Sequence, residues 1–162
     1  MRKTNLFAMA AVMALFASPL LASDKADSAQ ACWLPAFEAG DADAVSQCYA
    51  PDAVLWLGGM PLMQGRDAIR EGYAGFFSGF SVKDVKLVEM GHSSRGDEAT
   101  GWGTYSMVLV SKEDGTETLS TGRYTDVSRK VDGKWMYVVD HASENPAAAA
   151  EAAPAPDASA DG

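Results

Sequence analysis

The chain has 162 residues, with 22 acidic against 13 basic side chains and a formal net charge of −9. An acidic surface of this kind excludes the basic footprint that holds nucleic acid or anionic membranes. The length suits one domain with a full hydrophobic core.

Residues 1–22 read as a signal peptide. Arg2 and Lys3 form a positive start, Leu6 to Ala17 an apolar run, and Ser18-Pro19-Leu20-Leu21-Ala22 a break with a small residue at the cut. The run is too short to span a bilayer. The mature protein is therefore expected outside the cytoplasm, periplasmic or secreted, with no membrane attachment after cleavage. Cys32 and Cys48 would then mature where disulfides persist. They either bridge two neighbouring helices, worth roughly 3 kcal/mol in the chain-entropy view, or serve as small buried hydrophobes.

Asp24 to Ala39 reads as a helix with Ala26, Gln30, Trp33 and Phe37 on one face and Pro35 as a kink or early break. Gly40 stops it, and Asp41 caps a second helix to about Ala50, with Val45, Cys48 and Tyr49 apolar. Val54 to Leu57 is a short strand that turns at Gly58-Gly59 and returns through Met60 to Met63. Gly65 opens a third helix, with Ile69, Tyr73, Phe76 and Phe77 toward a core. Four strands follow, near Val82–His92, Ala99–Lys112, Thr116–Lys130 and Lys134–Ala142. Asp114-Gly115 and Asp132-Gly133 mark the last two turns as hairpins. Helices first and an antiparallel meander after is an α+β pattern. Pro146 to Gly162 holds nine alanines, three prolines and no large apolar side chain, which is the composition of a disordered tail.

Strand phase places the candidate site. A two-residue loop at Asp132-Gly133 would pair Val131 with Lys134 and Tyr124 with His141; three-residue loops at Val131-Asp132-Gly133 and Glu113-Asp114-Gly115 are preferred, because they put Val127, Tyr137 and Val139 on one apolar face. They also align Tyr105, Arg123 and His141 in one row across three strands. A cation, a phenol and an imidazole together suit a carboxylate or an enolate-like oxygen, and the histidine could carry a proton. The alternative is an arginine paired with an acid near the sheet's open end. Trp102, Val108, Val110, Tyr124, Met136 and Val138 then form an apolar outer face, the expected contact of a homodimer.

His92 and His141 are the only histidines, without the short spacing of a metal site. "GHSSRG", Gly91 to Gly96, has Arg95 where a nucleophile elbow needs glycine, and reads as a turn between strands. Phosphate loops and dinucleotide fingerprints are absent from the sequence, so no metal and no cofactor are expected. Trp33, Phe37, Tyr49, Trp56, Tyr73, Phe76 and Phe77 serve either as core or as the lining of a ligand pocket, and Thr125 is expected in that pocket with them.

Trp33, Ala36-Phe37, Gly40-Asp41, Tyr49-Ala50, Asp52-Ala53, Gly65-Arg66, Ile69, Gly133-Lys134-Trp135, His141 and Ser143 recur in an order that resembles the SnoaL-like branch of the nuclear transport factor 2-like superfamily, the ketosteroid-isomerase-like fold. The resemblance covers residues 23–145. It implies a curved antiparallel sheet with three N-terminal helices packed over it as a cone, a cystatin-like arrangement, usually dimeric, with an apolar pocket at the mouth. Aligned with ketosteroid isomerases, the base position falls on Leu57 and the oxyanion acid near Thr125, neither of which is an acid. Polyketide cyclases of the family use an acid/base residue on the late strands. Asp126 lies close to that place in sequence, but the chosen register turns it outward. Three readings follow from these residues. The first is a domain binding a small apolar or carboxylate-bearing molecule. The second is a cofactor-free isomerase, cyclase or dehydratase using His141, Arg123 and Tyr105. The third is a non-catalytic dimeric interaction module.

Overall fold

The structure is a computed structural model and describes residues 28–146. The expected signal peptide and residues 147–162 of the expected tail lie outside the described residues. Among the described residues no helix is long and apolar enough to cross a membrane.

Three helices precede and interrupt one six-stranded sheet: α1 (Gln30–Glu38), α2 (Ala42–Ser46), β1 (Tyr49–Leu57), β2 (Met63–Gln64), α3 (Arg66–Gly79), β3 (Phe80–Arg95), β4 (Glu98–Ser111), β5 (Glu117–Val131) and β6 (Lys134–Glu144). The strand order is β2-β1-β6-β5-β4-β3. The class is α+β, and the sheet is mixed, because β1 runs parallel to β6 while the other neighbours are antiparallel.

The helices form where the sequence places them, with shifted ends. α1 runs through Pro35 to Glu38 instead of breaking there. Gly40 ends it with a positive φ of 67°, a conformation that costs glycine nothing. The Asp41 carboxylate accepts from the Ala44 N–H at 2.9 Å and caps α2. That helix stops at Ser46 rather than near Ala50, because the sheet captures the following residues: the Tyr137 N–H donates to Cys48 O at 2.9 Å, and Tyr49 pairs with Tyr137. β1 is consequently longer than the expected strand and carries an irregularity between Tyr49 and Val54, around Pro51. Gly91 to Arg95 is the end of β3 and not a turn; the chain reverses at Gly96, whose φ is 62°.

The core joins the helices to the inner face of the sheet. Phe37, Val45, Ile69, Tyr73 and Phe77 from the helices meet Tyr49, Leu55 and Tyr137 from the strands. Trp33 stacks on Phe37 at 4.4 Å between ring centroids. Cys32 and Cys48 are joined in a disulfide with Cα atoms 5.7 Å apart, fixing α1 to the head of β1. Arg66 donates from Nη2 to Tyr49 O at 2.8 Å and secures the start of α3 at the same place.

Both hairpins differ from the expected registers. The β5–β6 turn has two residues, Asp132 and Gly133, both with positive φ, so Val131 pairs with Lys134. A bulge then leaves Val138 unpaired between Ser128↔Tyr137 and Val127↔Val139. The β4–β5 connection has four residues: Val110 pairs with Glu117, and the Ser111 N–H donates to Thr116 O at 2.9 Å.

Candidate functional site

The phase change carried by these two connections decides what faces the interior. Alternate residues of β5, Tyr124, Asp126 and Ser128, are buried, while Arg123 and Thr125 on the opposite phase are exposed. Above the bulge Asp140 and Ala142 of β6 turn inward and His141 turns outward. The expected row Tyr105–Arg123–His141 therefore does not form. Tyr105 pairs with Gly122, Arg123 lies between Thr104 and Ser143, and His141 pairs with Thr125.

The helices and the inner face enclose a cavity of about 270 Å³. Trp33, Phe37, Tyr73 and Tyr105, all expected there, line it. Tyr49 and Phe77 are buried in the core behind it. Trp56 and Thr125 are not in it: they lie on the outer face, where Trp56 pairs with His141 and Thr125 with both His141 and Trp102. His141 Nδ1 sits 2.9 Å from Trp56 O, and the two rings meet edge to face. Leu57 lines the cavity as an apolar side chain. Met136 and Val138, expected outside, pack against the core, and Tyr124, expected outside, lines the cavity.

Asp126 and Asp140 are the cavity residues the sequence reading missed. They face each other directly across β5 and β6, a placement that brings side chains within roughly 5 Å at Cβ. The Tyr49 hydroxyl donates to Asp140 Oδ2 at 2.6 Å. With that proton committed, Tyr73 donates to Tyr49 across 2.9 Å, and Trp33 Nε1 donates to Tyr73 at 3.0 Å. A chain of three donors from α1, α3 and β1 thus ends on one carboxylate.

Asp126 is less well served. Gln30 Nε2 approaches Oδ2 at 3.4 Å and the Ser128 hydroxyl approaches Oδ1 at 3.5 Å, both long. Burial, and secondarily the Asp140 carboxylate, raise its pKa to about 7. Burial raises Asp140 to about 6, against the pull of the Tyr49 hydrogen bond. Two facing acids that titrate near neutrality can hold a shared proton, receive one or give one. Beside them the Tyr124 hydroxyl is buried without a hydrogen-bond partner.

A signal for both acids stood in the sequence. Each interrupts an otherwise apolar or hydroxylated strand, "YTDVS" and "YVVDHA". Strict alternation from the turn put Asp126 outside, and only the Val138 bulge puts Asp140 opposite it.

The sequence model of the SnoaL-like domain family matches residues 18–139. No curated protein matches the chain in sequence. Among solved structures, the chain is similar to a ketosteroid isomerase-like protein from Erwinia carotovora atroseptica SCRI1043, at 24% identity and a TM-score of 0.66, over 74% of this chain and 92% of that one. A nuclear transport factor 2-like superfamily protein from Salmonella enterica serovar Typhimurium LT2 shares 19% identity with a TM-score of 0.66, over 77% and 92%. A candidate calcium/calmodulin dependent protein kinase II association domain from Xanthomonas campestris shares 28% identity with a TM-score of 0.61, over 72% and 82%.

Proposed function

This chain belongs to the SnoaL-like domain family, and on that premise we propose that its cavity binds a small, largely apolar molecule whose polar end meets Asp126 and Asp140. The observation that carries this reading is the facing carboxylate pair in the wall of a mainly aromatic and aliphatic cavity. Apolar walls supply affinity, and the few inward polar groups supply orientation. Export and a homodimer belong to the same proposal. The bridged Cys32 and Cys48 and the N-terminal apolar run support the first. The exposed apolar outer face supports the second.

Native mass spectrometry and thermal-shift screening of the exported protein against small aromatic fragments test the reading. Ala142 lines the cavity, so Ala142→Phe fills it. Fragment binding that survives in this variant rejects the cavity as the site.

A second reading is favoured by the titration of Asp126 near neutrality. In it the domain is a cofactor-free isomerase, cyclase or dehydratase, with Asp126 moving the proton in place of the outward-facing His141 and Arg123. A base must be ionised to act. Deuterium exchange α to the carbonyl of small aryl ketones should therefore rise with pH through about 7 and vanish in Asp126→Asn. Exchange that is flat with pH, or unchanged in that variant, rejects the second reading and leaves the first.

A further inference from the structure

The charge distribution of the cavity specifies the polar end of its ligand. Asp126, Asp140 and Glu144 line the cavity, and among the described residues no lysine, arginine or histidine does. The nearest guanidinium candidate of the sequence reading, Arg123, is exposed on the other side of the sheet. A carboxylate-bearing ligand would therefore meet like charge and no donor cation. We propose that the cavity takes an organic cation, an amine with an aryl or alkyl body, whose ammonium sits between Asp126 and Asp140. This rests on the binding reading and narrows it to one ligand class.

Three observations converge on this class. The acids face each other with no basic side chain of the described residues in the cavity wall beside them, and a cation supplies what is missing there. Tyr124 is 8% exposed and its hydroxyl, in the same wall, has no hydrogen-bond partner among the described residues. An ammonium has several N–H donors, and the two carboxylates with the Tyr124 oxygen offer acceptors from adjacent positions. Finally, Trp33, Tyr73, Tyr105 and Tyr137 present rings around the same space, and ring faces attract cations.

The class has a pH signature. Asp126 faces Gln30 from α1, Ser128 and Tyr124 from its own strand, Asp140 from β6 and, at longer range, Glu89 from β3. Asp140 is faced by Tyr49 from β1, Tyr73 from α3 and, along its own strand, the His141 charge. An alkylammonium stays charged from pH 5 to 8 while these two acids lose their protons. Its affinity therefore rises over that range. A neutral carbonyl ligand, which needs a protonated acid as donor, weakens over the same range.

Calorimetric titration of the full exported chain with 3-phenylpropylamine, 3-phenylpropanol and 3-phenylpropanoate tests the inference. These probes share a body and differ at one end. The expected result at pH 8 is amine binding at least tenfold tighter than the alcohol, with the carboxylate weakest, and an amine preference that shrinks toward pH 5. Asp126→Asn and Asp140→Asn should each lose most of that preference while retaining alcohol binding. Alcohol binding as tight as the amine overturns the cation inference and leaves the cavity reading intact. The same follows if the preference persists in both asparagine variants. Failure of all three probes to bind overturns both.

Discussion

Asp126 has 2% exposure and only long hydrogen bonds, so its charge is poorly supported. The folded state keeps its proton up to about 7, whereas an unfolded chain releases it near 3.8. Between those values the folded state binds more protons, so stability falls as pH rises from about 4 to 7 and levels off above. Asp140, raised to about 6, adds to the fall in the same direction. Asp126→Asn removes the larger part. The expected gain at pH 8 is on the order of 4 kcal/mol, with little difference at pH 4. Thermal melts of both proteins across pH 4–8 check it, and an asparagine variant no more stable at pH 8 sinks the account. Residues that carry such a cost without local benefit are the ones pattern reading misplaces, because an inward acid violates the alternation that the reading relies on.

The existence of the elements was legible in the sequence. Asp41, Gly40, Gly65 and Asp132-Gly133 bound their helices and turn by side-chain and φ preferences that act locally. The registers were not legible, because they depend on the unpaired Val138 and on a four-residue loop that Asp114-Gly115 does not advertise. Glycines show the same divide between local and tertiary causes. Gly75 lies on the exposed face of α3 with open space around a Cβ, so Gly75→Ala gains helix propensity alone and should stabilise by about 0.5–1 kcal/mol. At Gly122 a Cβ would collide with Ser143 O of β6 and with the Tyr105 ring that lies across it in the cavity wall. Gly122→Ala must move strand or ring, and should cost about 1–3 kcal/mol. Urea unfolding of the two variants distinguishes the cases, and destabilisation by both or by neither contradicts this geometry.

At the scale of the whole molecule the sheet divides two environments. Its inner face meets the helices, with α1 held in place by the Cys32–Cys48 bridge. Its outer face carries a row, Trp56, His141, Thr125 and Trp102, that crosses four strands and ends against Gly91 on the fifth. Trp56 and Trp102 are 58% and 43% exposed, and Val88, Leu119 and Val139 are exposed beside them. Trp102, Val108 and Val110 were expected on an apolar outer face and lie there, whereas the two hairpin connections turn Tyr124 inward and the pairing of β1 with β6 leaves Trp56 beside His141 on the outside. Five exposed large apolar side chains on one sheet face are a cost in water that a second copy removes, and a stable contact needs about 800 Å² from each partner. Dimers are therefore expected in sedimentation velocity at micromolar concentration. Trp56→Glu with Trp102→Glu places charge at both ends of the row, and should yield a monomer that still binds cavity ligands, because neither tryptophan lines the cavity. A wild-type protein that sediments as a monomer rules out this interface. A double variant that remains dimeric shows that the copies meet elsewhere.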